Sequence, residues 1–280
     1  MRVALLSALE PLSGGVLSPR GLARIGGRTV LQNQLQYALA AGCERIACLS
    51  HDLPSELIAL QHEAERGGAQ FQCIRDVKPL SGMVTASDEV LVIGDGLAFN
   101  AGQASAPDRS GSWIASFPAE EGLAAGFERI DRDRSWAGIM KIPGALVEKL
   151  AEFPSDIDVQ SSLLRLALQN GVKTYAMDEG LIANESWVVI DSEGAAAQFG
   201  AKRLGQVVRR ASFAAPVHSL SDFAAFTVLR RHSDPGRASQ VGQGLALGLM
   251  AIAALAIYFV QPIVGFAAIM GAVFTYRFGK

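Results

Sequence analysis

The chain has 280 residues, of which 50% are hydrophobic and 19% charged, with a formal net charge of −2 and a mean hydropathy of +0.25. That composition excludes a disordered chain, which needs low hydrophobicity and high net charge. It equally excludes a dedicated nucleic-acid binder, which needs a basic face to displace counterions.

No apolar run of signal-peptide length follows Met1 and Arg2 before Glu10 and Pro11. Residues 3–7 are a short apolar run that predicts a buried first strand, and a loop rich in Pro, Gly and Ser follows it. Residues 30–41 carry apolar side chains at helical spacing and stop at Gly42, the pattern of a helix with a glycine cap. Strands are predicted at 45–50, 70–74 and 89–93, with a helix at 55–66 closed by Gly67 and Gly68. This alternation predicts a parallel sheet with crossover helices. Further along, strands are predicted at 112–117, 136–142, 173–177 and 187–190, helices at 144–153 and 158–170, and a long helix from Ser192. Cys43, Cys48 and Cys73 make no CxxC pair, and His51, His62, His218 and His232 are scattered. The sequence therefore offers neither a disulfide framework nor a zinc site.

The composition changes towards the C-terminus. Between residues 200 and 240, Lys202, Arg203, Arg209, Arg210, Arg230, Arg231 and Arg237 face only Asp222 and Asp234, which predicts a basic helical linker over 206–240. Residues 244–276 contain no charged residue, a run longer than the ~20 residues that cross a bilayer. Pro262 interrupts it, and basic residues flank both ends. Residues 241–276 are accordingly expected to form a transmembrane hairpin in the cytoplasmic membrane. Both ends, and the N-terminal domain over 1–205, would then face the cytoplasm, with the linker as a lipid-facing collar.

Three features carry chemistry. Asp95 follows an apolar strand and sits between two glycines, and ligands of open α/β sheets bind at the carboxyl ends of strands. One carboxylate there suits Mg²⁺, which takes one or two carboxylates together with phosphate oxygens and water. Asp191 ends a second apolar run, where it or Ser192 is also suited to cap the following helix. Gly14 and Gly15, in the loop after the first strand, can offer backbone N–H groups to phosphates, with Arg20 as the cation.

These features occur in an order that resembles a known family. The run from Pro19 through Ile25-Gly-Gly-Arg28 to Leu35, then Ala40-Ala-Gly-Cys-Glu-Arg-Ile46, resembles the start of nucleotidyltransferases of the sugar-phosphate and molybdenum-cofactor type. Leu91-Val-Ile-Gly-Asp95 is similar to the family strand whose Asp binds Mg²⁺. Residues 187–195 are similar to the segment that carries its second metal-binding Asp, and Trp136-Ala-Gly-Ile139 to the strand passing its sugar pocket. The resemblance covers about residues 1–205. It implies a three-layer α/β/α nucleotide-diphospho-sugar transferase-like fold of GT-A type. It also implies transfer of a nucleotidyl group from a nucleoside triphosphate to a phosphorylated sugar or polyol, with Mg²⁺ on Asp95 and Asp191, Arg20 stabilising charge, and Gly14, Gly15 and Arg20 on the triphosphate. Departures accompany it. The family's glycine-rich LAAG-x-G-x-R loop is here Leu6-Ser-Ala-Leu-Glu10, and its lysine is here Arg20. The alternative expectation is therefore a catalytically idle domain of this fold that acts as a binding or regulatory module in membrane phospholipid head-group (CDP-alcohol) synthesis.

Overall fold

The computed structural model describes residues 1–14, 18–100, 111–150, 152–154, 157–209 and 270–273. In chain order the strands are β1 (Arg2–Ala8), β2 (Arg24–Ile25), β3 (Arg28–Thr29), β4 (Arg45–Ser50), β5 (Gln70–Ile74), β6 (Glu89–Ile93), β7 (Leu97–Phe99), β8 (Trp113–Pro118), β9 (Arg134–Pro143), β10 (Thr174–Ala176) and β11 (Trp187–Val189). The helices are α1 (Val30–Ala40), α2 (Ser55–Arg66), α3 (Val77–Met83), α4 (Ala119–Ala124), α5 (Ala145–Leu150), α6 (Val159–Gln169), α7 (Gly180–Ala183) and α8 (Glu193–Arg209), and a 3₁₀ turn covers Arg20–Leu22. The chain divides into two compact units, one of residues 1–24 and 28–196, the other of 25–27 and 197–280. The sheet and its covering helices belong to the first unit.

Its centre is a seven-stranded sheet in the order β10-β8-β9-β6-β1-β4-β5. β1 pairs in parallel with both β4 and β6, as the alternation of strands and helices predicts. β9 differs, because it runs antiparallel to both β6 and β8 and makes the sheet mixed. Strand direction is set by the connection that precedes a strand, and apolar periodicity carries no sign of direction.

Side chains alternate across the strands, so each strand feeds two cores. Ala4 and Leu6 of β1 and Leu91 and Ile93 of β6 enter one cluster with Leu31 and Leu35 of α1 and Leu57 and Leu60 of α2. Val3 and Leu5 of β1 and Val90 and Val92 of β6 enter the other, with Leu146 and Val147 of α5 and Leu163 and Leu164 of α6. Helices therefore cover both faces, giving three layers. α1 begins with a capping box: Gln32 N–H donates to Thr29 Oγ1 at 3.1 Å and Thr29 N–H to Gln32 Oε1 at 2.8 Å. Asp158 caps α6 by accepting from Ser161 N–H at 2.7 Å.

Beside the main sheet, β7 and β11 form a two-stranded antiparallel ribbon with Leu97 opposite Val189. Trp187 fastens it: its ring stacks on Phe99 at 4.9 Å, and its Nε1–H donates to Ala137 O of β9 at 2.7 Å. No helix among the described residues is long and apolar enough to cross a membrane. The expected hairpin over 241–276 lies outside the described residues except at 270–273, and the 206–240 linker lies outside them beyond Arg209.

Truncating Trp187 removes the stack and the hydrogen bond together. Trp187→Ala should cost about 3–5 kcal/mol, the usual range for deleting a buried aromatic, read as a lower urea midpoint at unchanged slope.

Candidate active site

The end of β6 is a turn held from both helical layers. Gly94 N–H donates to Gly138 O of β9 at 2.6 Å, and the approach is so close that a Cβ on Gly94 would lie 3.1 Å from that oxygen. From α1, the buried Gln34 uses Nε2 to donate to both Gly94 O and Leu97 O at 2.9 Å. From α6, Gln160 accepts from Asp95 N–H at 3.1 Å and donates from Nε2 to Ile93 O at 2.8 Å. Gly96, with φ +68°, completes the turn, and a Cβ there would come 2.8 Å from Ile190 O and 3.0 Å from Arg20 Cβ. The residue must be glycine for both reasons.

The turn fixes Asp95. Its Oδ2 accepts from Ser7 Oγ–H at 2.9 Å, Leu9 N–H at 2.7 Å and Glu10 N–H at 3.0 Å, so the end of β1 is built on this carboxylate. Its Oδ1 is buried and has no hydrogen-bond partner among the described residues. Burial raises the Asp95 pKa above its ordinary 3.8, against the opposing pull of the Glu10, Leu9 and Ser7 donors. An orphaned carboxylate oxygen at a strand end fits a cation that the protein itself does not supply.

A cleft of about 140 Å³ opens over the turn, and Glu10, Arg20, Asp95, Glu128, Trp136 and Asp158 contribute to its walls. Arg20 and Asp95 thus face the same space. The Arg20 Nε–H donates to Pro11 O at 3.2 Å, which holds the guanidinium stem over the loop. That loop is tied at its base: Arg20 N–H donates to Glu10 O at 2.8 Å, Leu12 N–H to Ser18 O at 3.0 Å, and Pro11 bridges Pro19. Gly14 adopts φ +97° with open space around it, and Gly15 lies outside the described residues. The backbone of Asp191 lies close by, since Ser13 N–H donates to Asp191 O at 2.7 Å and Ile190 N–H to Gly96 O at 2.8 Å. Its side chain is exposed and is not part of the cleft wall. Among the described residues no group of three or more His, Cys, Asp and Glu side chains is gathered to hold a metal. The metal chemistry that these residues fit is therefore the sparse kind, one buried carboxylate oxygen with phosphate oxygens and water completing the shell.

The sequence reading missed Ser7, Gln34, Glu128, Asp158, Gln160 and Ser161. A signal existed for the two glutamines. Gln34 interrupts the apolar stripe of Leu31, Leu35 and Ala38, and Gln160 that of Leu163, Leu164 and Ala167. A long amide on a buried face has to find backbone partners. Asp131 and Asp133 lie away from the cleft in a surface turn in which Asp131 accepts from the Asp133 and Arg134 N–H groups.

No protein-family model matches the sequence, and no curated protein matches it. Solved structures do. The inositol-1-phosphate CTP transferase from T. maritima superimposes with a TM-score of 0.53 at 15% identity, over 75% of this chain and 97% of that one. A UDP-glucose pyrophosphorylase from Acinetobacter has a TM-score of 0.46 at 12% identity, over 79% of this chain and 98% of that one. The first likeness establishes the fold: the chain has the mixed α/β architecture of a nucleotidyltransferase.

A carboxyl whose folded pKa is raised favours the folded state fully below its unfolded pKa, and loses that contribution as pH rises through the folded value. At neutral pH the Asp95 charge therefore opposes folding. Asp95→Asn keeps an oxygen for the three donors and removes the charge. It should raise stability by on the order of 1 kcal/mol at pH 7, with the gain shrinking towards pH 4. Thermal unfolding across that range checks the prediction, and a lower midpoint for the variant at pH 7 would contradict it.

Proposed function

We propose that the chain is a nucleotidyltransferase, acting on a nucleoside triphosphate and a small phosphorylated acceptor of the sugar, polyol or alcohol kind. The observation that carries this reading is the single cleft shared by Arg20 and the orphaned Asp95 carboxylate, at the strand ends where such sheets bind ligands. The fold likeness supports it, since the T. maritima protein is by its name a CTP transferase of inositol 1-phosphate.

In the reaction, an oxygen of the acceptor's phosphate attacks the α-phosphorus, the bond from that phosphorus to the bridging oxygen breaks, and pyrophosphate leaves. The protein's part is positioning and charge. Gly14 and, as the sequence suggests, Gly15 would offer backbone N–H groups to the triphosphate, and Arg20 would stabilise negative charge on the leaving pyrophosphate. Mg²⁺ held by Asp95 would neutralise phosphate charge, while Asp191, exposed and outside the cleft wall, contributes its backbone to the loop contacts rather than a ligand in this arrangement. Gln34 and Gln160 hold the Asp95 turn in place, so its carboxylate needs no rearrangement as charge develops.

A second reading has its own observation. Three protein donors already occupy Asp95 Oδ2, an arrangement that also suits a carboxylate retained for structure in an idle, ligand-binding domain. Nucleotide binding and turnover separate the two. With the 280-residue chain, millimolar nucleoside triphosphate and Mg²⁺ should raise the thermal midpoint by mass action, and pyrophosphate should appear on adding acceptor. Asp95→Asn should abolish turnover. Arg20→Ala should weaken nucleotide affinity about tenfold, by roughly 1.4 kcal/mol, and more at low salt, where screening is weaker. Nucleotide binding without turnover by the unaltered chain would favour the idle domain.

We also propose that residues 241–276 anchor the chain in the cytoplasmic membrane as a hairpin, on the strength of their uncharged run and its basic flanks. The chain should then stay with membranes through a high-pH carbonate wash, and a tag after Lys280 should be digested from the cytoplasmic side.

A further inference from the structure

The cleft is not uniform in charge. β1 and β9 flank β6 on opposite sides, so the wall that follows β1 and the wall beside β9 lie on either side of Asp95. The first carries Arg20. The second carries Glu128, just before β9, and Asp158, at the start of α6. Ser161 ties these two carboxylates together, donating from Oγ–H to Glu128 Oε2 at 2.9 Å and from N–H to Asp158 Oδ1 at 2.7 Å. Neither forms an ion pair among the described residues. Although the Glu128 side chain reaches solvent, the surrounding protein raises its pKa. Asp158 adds to the rise, while Ser161 and Arg165 oppose it. The buried rings of Phe127 and Trp136 line the same wall.

We propose that the acceptor is a small phosphorylated amine, with its ammonium group seated between Glu128 and Asp158 and its phosphate turned towards Arg20. This rests on the nucleotidyltransferase reading and narrows it. Two neighbouring carboxylates that form no salt bridge among the described residues repel a phosphate and attract an ammonium. A polyol would satisfy the carboxylates by hydrogen bonds alone and leave their mutual repulsion in place. The orphaned Asp95 Oδ1 in the same cleft is an independent sign that a ligand completes this space.

Calorimetric binding to the 280-residue chain in Mg²⁺ tests the proposal without requiring turnover. Phosphoethanolamine and phosphocholine are compared with glycerol 3-phosphate and inositol 1-phosphate. At least one amine should bind about tenfold more tightly than either polyol. Glu128→Gln keeps the acceptor for Ser161, and Asp158→Asn keeps a good helix cap. Each should weaken amine binding about tenfold and change polyol binding by less than about twofold. Equal or tighter polyol binding, no amine binding, or an amine preference that survives both substitutions would overturn the proposal. Pyrophosphate release is measured separately. Amine binding without release by any acceptor counts against nucleotidyl transfer and leaves the amine site standing, whereas release with polyols alone does the reverse.

Discussion

Two buried glutamine side chains, one from each helical layer, grip the turn that ends β6. Gln34 reaches it from α1 and Gln160 from α6, and between them they bond to Ile93 O, Gly94 O, Asp95 N–H and Leu97 O. A turn at the edge of a sheet would otherwise leave those backbone groups to water or unpaired. Because they are satisfied from opposite faces, the turn cannot shift with either layer alone. Every other part of the site is referred to it: the end of β1 hangs on Asp95, the β7–β11 ribbon starts from it, and β9 closes on it through Gly138.

The Asp95 carboxylate shows what such a scaffold makes possible. Three donors converge on one oxygen while the other is left buried and unpaired, so the group is held firmly and only partly compensated. The net effect of burial is a raised pKa. A residue kept in that condition limits stability, and such conditions gather where a ligand is expected to provide the missing partner. The same pattern recurs more weakly at Glu128, where protein surrounds a carboxyl and Asp158 adds its charge.

Much of this architecture was legible in the residues. The predicted strands at 45–50, 70–74 and 89–93 and the helix at 55–66 coincide with β4, β5, β6 and α2, because apolar alternation and glycine stops are local signals. Asp95 could be singled out for the same reason, as the residue after an apolar strand. What the sequence concealed is non-local. The antiparallel course of β9 depends on how the chain returns after β8. The short ribbon of β7 and β11 exists because residues about ninety positions apart pair. The roles of Gln34 and Gln160 follow from backbone groups 60 and 65 positions away. The pairing of Glu128 with Asp158 through Ser161 spans 33 positions, so neither acid stood out from the charged surface.

The loop after β1 is clasped at its stem. Glu10 holds Arg20, Pro11 meets Pro19, and Leu12 holds Ser18, all by main-chain contacts that any side chains between them would allow. The closure entropy of such a loop depends only weakly on its length. Its tip can consequently gain, lose or exchange residues at little cost to the sheet beneath. The frame beneath is thereby insulated from the composition of the loop, whose glycine content can differ without altering the strand order or the Asp95 turn.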